Sequence, residues 1–233
     1  MIFSIIVPIY NEEKTILNIL NRLEKLKFSA FKKEIIVVDD GSLDGTRKIL
    51  DSNKHLYDKL YFNHKNEGKG SAVRLGLKKS IGDYVVIQDG DLEYNPDDLI
   101  KFEKVFLKFN ADGVIGSRFS YDQYIRSHSV LNKFANFILT LFFNILYNTT
   151  FTDIYSCYFA FKKELIDSDK LKVNGFAQHA EILAQVIKKG SKFYEVPINY
   201  DGRNFLEGKK IKFYHFFPVV LEILIGKLKW INN

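Results

Sequence analysis

Apolar and polar positions change period repeatedly along the first 119 residues. Residues 2–9 form an uncharged, β-rich run. Residues 13–27 then set Ile16, Leu17, Ile19, Leu20, Leu23 and Leu26 on one helical face. A second strand at 34–38 stops at Asp39-Asp40-Gly41-Ser42, and a helix covers about 45–52. A short strand at 60–62 precedes Asn66-Glu67-Gly68-Lys69-Gly70, which leads into a helix through Leu77. Another strand fills 83–88. Asn95 caps a helix with Pro96 at its first position, running to about Phe109, and 113–116 is again a strand. Short apolar strands alternating with helices predict an α/β fold: a mostly parallel sheet with helices on both faces. Such sheets bind ligands at the carboxyl ends of their strands.

The second half reads differently. Residues 130–147 are nearly all apolar, and the exceptions Asn132, Asn136, Thr140 and Asn144 recur every four residues as one narrow polar stripe. A helix with so wide an apolar surface is either buried on most sides or enters a bilayer interface. A second such segment, 213–230, ends in Lys227, Lys229 and Trp230. Both predict appended amphipathic, interfacial helices. The run is interrupted by polar residues and is short for a span. The first residues read as a strand, not a signal peptide. One domain is expected, with a first half over about 1–119, a second over about 120–212 and a C-terminal segment over about 213–233.

Composition narrows the choice of chemistry. With 46% apolar residues in 233, a full core is available. The single cysteine, Cys157, excludes a disulfide framework and a cysteine-based zinc site. Residues 1–119 carry 19 basic and 18 acidic side chains, whereas 120–233 carry 15 and 10. The positive field therefore belongs to the second half and points to an anionic partner: a phosphate, a nucleic acid or a membrane surface.

Asp89-Gly90-Asp91 closes the strand at 83–88. In extended chain, alternate side chains point the same way, so the two carboxylates converge. Such hard oxygen ligands suit Mg²⁺ or Mn²⁺, which usually bring a phosphate. Glu93 extends the alternation to a third carboxylate, and Gly90 lets a ligand approach the backbone. The same residues also describe a polar turn. Asp39-Asp40 and Ser117-Arg118 lie at other strand ends and are expected in one cleft with them.

Taken in order, Val7-Pro8-Ile9-Tyr10-Asn11-Glu12, Val37-Val38-Asp39-Asp40-Gly41-Ser42, Gly68-Lys69-Gly70, Asp89-Gly90-Asp91, Gly116-Ser117-Arg118 and Glu195-Val196-Pro197-Ile198-Asn199-Tyr200 resemble the family-two glycosyltransferases. Among these they look like the branch of dolichyl-phosphate mannosyltransferase and its bacterial relatives. The resemblance covers nearly the whole chain. It implies a GT-A fold, a GDP- or UDP-linked sugar donor, inversion at the anomeric carbon and a Mg²⁺ or Mn²⁺ cofactor on Asp89, Asp91 and Glu93. It puts Pro8, Tyr10, Glu12, Asp39, Gly41, Ser42, Lys69, Asp89, Gly90 and Arg203 at the donor, and Arg118, Arg126, His128 and Lys209 near the phosphate of a polyprenyl lipid acceptor. Asp91, Arg118 and Glu181 are the expected catalytic set. Asn136, Asn144 and Asp153 also match, but Phe159 stands where relatives often carry Lys or Arg.

An already ionised phosphate acceptor needs little help from a base, which leaves Glu181 a positioning role. Two alternatives remain at this stage. One is transfer to a saccharide hydroxyl with Glu181 as base. The other is a non-catalytic nucleotide-sugar-binding scaffold. The expected location is the cytoplasmic face of a membrane, held there peripherally or by a separate membrane subunit, with no nucleic-acid partner.

Overall fold

The computed structural model describes residues 1–119, 130–202 and 216–231. Strands β1 (Ile2–Ile9), β2 (Lys32–Asp39), β3 (Lys59–Phe62), β4 (Tyr84–Ile87), β5 (Gly113–Ser117), β6 (Phe159–Lys162) and β7 (Phe193–Pro197) form one seven-stranded sheet. Helices α1 (Ile16–Lys25), α2 (Thr46–Ser52), α3 (Lys69–Lys79), α4 (Leu99–Phe109), α5 (Val130–Tyr147), α6 (Gln178–Lys189) and α7 (Phe216–Ile231) surround it. The strand order is β3-β2-β1-β4-β6-β5-β7. All pairs are parallel except those of β6, which runs against both β4 and β5.

Alternation along β1 explains the layers. Phe3, Ile5, Val7 and Ile9 pack on one face with Ile19, Leu20 and Leu23 of α1 and Phe102 and Phe106 of α4. Ile6 faces the other way, toward α3, α5, α6 and α7, through Val73, Phe143, Ile182 and Ile223. A sheet covered on both sides needs strands apolar on both sides, which is why β1 and β2 read as near-continuous apolar runs.

The elements expected from the first half are all present, most of them within two residues of their expected bounds. Asn95 accepts the N–H of Asp97 (3.0 Å) as a cap, but Pro96–Asp98 forms a 3₁₀ turn before α4 begins. Buried Asp98 anchors that turn by accepting the N–H of Asn199 (2.7 Å). Strand β6 is new: the alternation of the chain gave no sign of it. It wedges between β4 and β5 and brings Cys157 and Tyr158 to the same edge as the carboxyl ends of the parallel strands.

Helix α5 turns Asn136, Thr140 and Asn144 of its polar stripe inward and leaves Asn132 exposed. Asn136 donates to Asp153 (3.2 Å), Thr140 accepts from the N–H of Ile154 (3.4 Å), and Asn144 donates to the carbonyl of Phe151 (2.8 Å). Its apolar residues Val130, Leu131, Phe134, Phe137, Leu141 and Ile145 stand exposed. Helix α7 buries Val219 and Ile223 and exposes Phe217, Leu221, Leu228 and Ile231. The hydroxyl of Tyr147 joins the two helices by donating to the carbonyl of Ile223 (2.9 Å). By length and composition α5 is long and apolar enough to cross a membrane.

Candidate active site

The carboxyl ends of β1, β2, β4 and β5 surround a cleft of about 380 Å³. The strand order reverses between the parallel neighbours β1 and β4, where open α/β sheets take their ligands. Of the expected residues, Pro8, Tyr10, Glu12, Lys69, Asp89, Gly90, Asp91, Glu93 and Arg118 line it. Arg126, His128, Arg203 and Lys209 lie outside the described residues.

Four expected residues do not line the cleft. Asp39 is fully buried and accepts from Ser42 N–H (3.1 Å) and Arg47 Nε (2.6 Å). Gly41 and Ser42 shape the same turn, where Ser42 Oγ accepts the N–H of Asn11 (2.9 Å). The neighbour Asp40 lines the cleft instead. Its carboxylate accepts the N–H groups of Glu67 (3.0 Å) and Gly68 (2.8 Å), fixing the loop ahead of α3. Gly68 has φ +98°, and a Cβ there would stand 2.5 Å from the carbonyl oxygen of Asn174.

Glu181 is the fourth. Its carboxylate accepts the N–H groups of Lys172 (2.9 Å) and Val173 (3.0 Å). Those bonds hold the loop whose next residue, Asn174, accepts the N–H of Gly70 (2.7 Å). Glu181 therefore braces the wall behind the α3 loop, which corrects its expected place at the reacting atoms. The expected reason for Gly90 also changes: a Cβ there would meet Ile9 at 2.9 Å, so the close approach is to protein.

Arg118 ends β5 and fastens to buried Asp153, through Nε (2.7 Å), Nη2 (2.9 Å) and its backbone N–H (3.0 Å). Nη2 also reaches Asn136 of α5 (3.4 Å), and the guanidinium lies 5.1 Å from the Tyr200 ring centroid. Burial works against this charge, but Asp153 overrides it and holds the guanidinium firmly protonated. Lys69 Nζ reaches Asp89 Oδ1 (2.5 Å) and Cys157 Sγ (3.5 Å). There too burial opposes the charge, and Asp89, with smaller help from Cys157 and Asp91, keeps the ammonium well above its ordinary value.

The sequence reading missed part of the wall. Tyr94, Tyr155, Cys157, Phe176, Gln178, His179 and Tyr200 all line the cleft. Burial, then the charge of Asp89, pushes the Cys157 thiol up and keeps it protonated. His179 Nε2 faces the carbonyl of Ile154 (2.9 Å), which only accepts, so that nitrogen carries the proton. Burial and then Lys69 lower the ring to about 4, so the imidazole is neutral.

Among the described residues, no three His, Cys, Asp or Glu side chains gather into a metal cage. The expected triad is corrected accordingly: the Glu93 carboxylate accepts the hydroxyl of Tyr200 (2.8 Å). The lining nevertheless fits a hard divalent cation that arrives with a diphosphate. Among the described residues, Glu12, Asp40, Asp89, Asp91 and Glu93 stand against Lys69 and Arg118, an acidic excess that suits an anion accompanied by a cation. Mg²⁺ is commonly held by one or two carboxylates plus substrate phosphates. The Lys69 ammonium on Asp89 already marks a cation position.

The model of the family "Glycosyl transferase family 2" matches residues 4–168, more than half of the chain. An uncharacterised protein of Methanocaldococcus jannaschii is 34% identical over 88% of this chain and 93% of its own. The UDP-N-acetylglucosamine–dolichyl-phosphate N-acetylglucosaminyltransferase of Methanococcus voltae is 28% identical over 96% of both. Among solved structures, glucosyl-3-phosphoglycerate synthase from Mycobacterium tuberculosis, in complex with Mn²⁺, UDP-glucose and phosphoglyceric acid, superposes with TM-score 0.70 at 19% identity, covering 97% of this chain and 79% of that one. The chain spans 43% of the Staphylococcus aureus TarS chain, with TM-score 0.63 at 18% identity over 96% of its own length. The chain belongs to glycosyl transferase family 2 and is a glycosyltransferase with a GT-A fold.

Proposed function

We propose that this glycosyltransferase moves a sugar from a nucleoside-diphosphate sugar to the phosphate of a polyprenyl lipid, with inversion at the anomeric carbon. The carrying observation is the connection between Arg118 and α5. The guanidinium at the cleft bonds Asn136 on the inward seam of a helix whose outer face is apolar and exposed. A lipid lying along that outer face brings its phosphate to the cationic edge of the cleft. The Methanococcus voltae relative, named for a dolichyl-phosphate acceptor and matched over 96% of both chains, supports the same reading. The exposed faces of α5 and α7 then rest in the membrane interface.

In the proposed reaction, a lipid phosphate oxygen attacks the anomeric carbon from the side opposite the leaving group. The bond from that carbon to the donor's diphosphate breaks, and the nucleoside diphosphate departs. Pro8, Tyr10 and Glu12 border the nucleoside, and Lys69 lies within reach of the diphosphate. Asp89 and Asp91 would hold the divalent cation, which supplies charge neutralisation at the leaving group. Arg118, fixed by Asp153, orients the incoming phosphate, so that catalysis is positioning and electrostatics. Glu181 has no part in proton transfer here, which disfavours the alternative of a saccharide hydroxyl acceptor.

The test is transfer of labelled sugar from UDP-N-acetylglucosamine, and from a panel of UDP- and GDP-sugars, with Mn²⁺ and a polyprenyl phosphate in detergent. Lipid-linked sugar is expected. Asp91→Asn should lower its formation about 100-fold or more. Transfer to a saccharide hydroxyl and not to lipid phosphate would overturn the reading.

A further inference from the structure

Lys69 opens α3, and its backbone surroundings are pinned from two sides. The preceding N–H, of Gly68, goes to Asp40 (2.8 Å), and the following one, of Gly70, goes to Asn174 (2.7 Å). From that fixed point the side chain crosses the cleft and sets its ammonium on Asp89 Oδ1 (2.5 Å). Asp89 is one of the two carboxylates that would hold the cation in the proposed reaction. Oδ1 is taken by the ammonium, and a divalent ion on Oδ2 of the same carboxylate would stand close enough to it for the two cations to repel. The lysine stem is flexible, and its ammonium can change partner without leaving the cleft.

We propose that Lys69 is a tethered counter-ion for Asp89, which a divalent cation must displace, so that metal uptake follows a diphosphate able to take over the ammonium. The inference rests on the reading of Asp89 as a metal ligand. It gives the ligand-free protein a charge-balanced pair instead of a bare acidic site, and it makes metal and nucleotide bind cooperatively. The coupling is reciprocal: each ligand tightens the other by the same factor.

The test measures Mn²⁺ binding from the free-ion electron paramagnetic resonance signal, for the whole chain, with and without UDP. Wild type should bind Mn²⁺ weakly alone and about tenfold or more tightly with UDP. Lys69→Met should bind Mn²⁺ alone about tenfold more tightly than wild type and gain less from UDP. Lys69→Arg keeps the charge and should stay close to wild type, and thermal melts confirm that both variants are folded. If Lys69→Met binds no more tightly while UDP still promotes uptake, the displacement is wrong and the metal site stands. If Lys69→Arg gains as much as Lys69→Met, charge is not the cause and the proposal falls. If no protein takes up Mn²⁺ even with UDP, the metal reading itself fails.

Discussion

Helix α1 buries Ile16, Ile19, Leu20 and Leu23 and leaves Asn18, Glu24 and Lys25 in water. Helix α5 buries Asn136 and Thr140 beside Leu139 and Phe143, and leaves Phe134, Phe137, Leu141 and Ile145 outside. Both are regular helices on the same sheet, so propensity does not distinguish them. The difference lies in what each polar residue can find inside. The buried face of α1 meets the apolar side chains of Phe102 and Phe106, whereas the 149–154 loop supplies partners for Asn136, Thr140 and Asn144 of α5. An apolar exterior of this extent marks a surface that meets something other than water.

Matched substitutions break or sharpen that contrast. Leu20→Asp puts a charge into a fully buried position and should abolish the cooperative melt, a loss above about 4 kcal/mol. Phe137→Asp, at a position 59% exposed, should keep stability within about 0.5 kcal/mol. In vesicle flotation the same variant should weaken membrane binding about tenfold. If Phe137→Asp unfolded as Leu20→Asp does, the outer face would be core, and the contrast would collapse.

The seam itself comes next. Arg118→Met strands fully buried Asp153 and should cost about 3–5 kcal/mol in denaturant unfolding. Adding Asp153→Asn should return much of that loss. An unchanged midpoint in the single variant would show that α5 is not anchored through this pair.

His179, on the cleft side of α6, titrates near 4 in the fold against an ordinary value of 6.5. The unfolded chain thus binds the proton more tightly than the folded one. Its contribution is full above pH 6.5 and is lost as pH falls toward 4, by on the order of 3 kcal/mol. Melting curves of His179→Gln should decline less than wild type across that window. Glu181→Gln should cost about 1–2 kcal/mol of stability and leave transfer nearly unchanged. A rate loss of about 100-fold would restore the base role.

Local pattern exposed the strands of the first half because each is an uninterrupted apolar run between polar breaks. It also exposed the whole of α5, bounds included, and the inward seam of Asn136 and Asn144. What it could not reveal is phase and long-range pairing. Asp39 and Asp40 sit at a strand end, where one residue of twist decides which carboxylate meets the cleft and which meets Ser42 and Arg47. Glu181 and Gln178 lie three apart on one helix, and only the packing of α6 against the 172–174 loop settles which of them lines the cleft. Cys157 enters the site because β6 runs backward between two strands more than forty residues upstream, a pairing no local window contains. Glu93 continued a perfect alternation and was still drawn away, by a tyrosine more than a hundred residues later.

The wedge strand has a consequence for the order in which the molecule assembles. Strands β4 and β5 are separated by only 25 residues of chain between Ile87 and Gly113, yet neither touches the other. Until residues 159–162 emerge, each presents an open edge, the kind of edge that pairs with other chains. Asp153, the partner of Arg118, emerges in the same late stretch. The first half can therefore build β1 to β4 early, but the acceptor side of the cleft closes late, through contacts of long sequence separation that are slow to form. A nascent chain stopped before residue 159 leaves both β4 and β5 with an open edge, and β5 keeps one until residues 193–197 add β7.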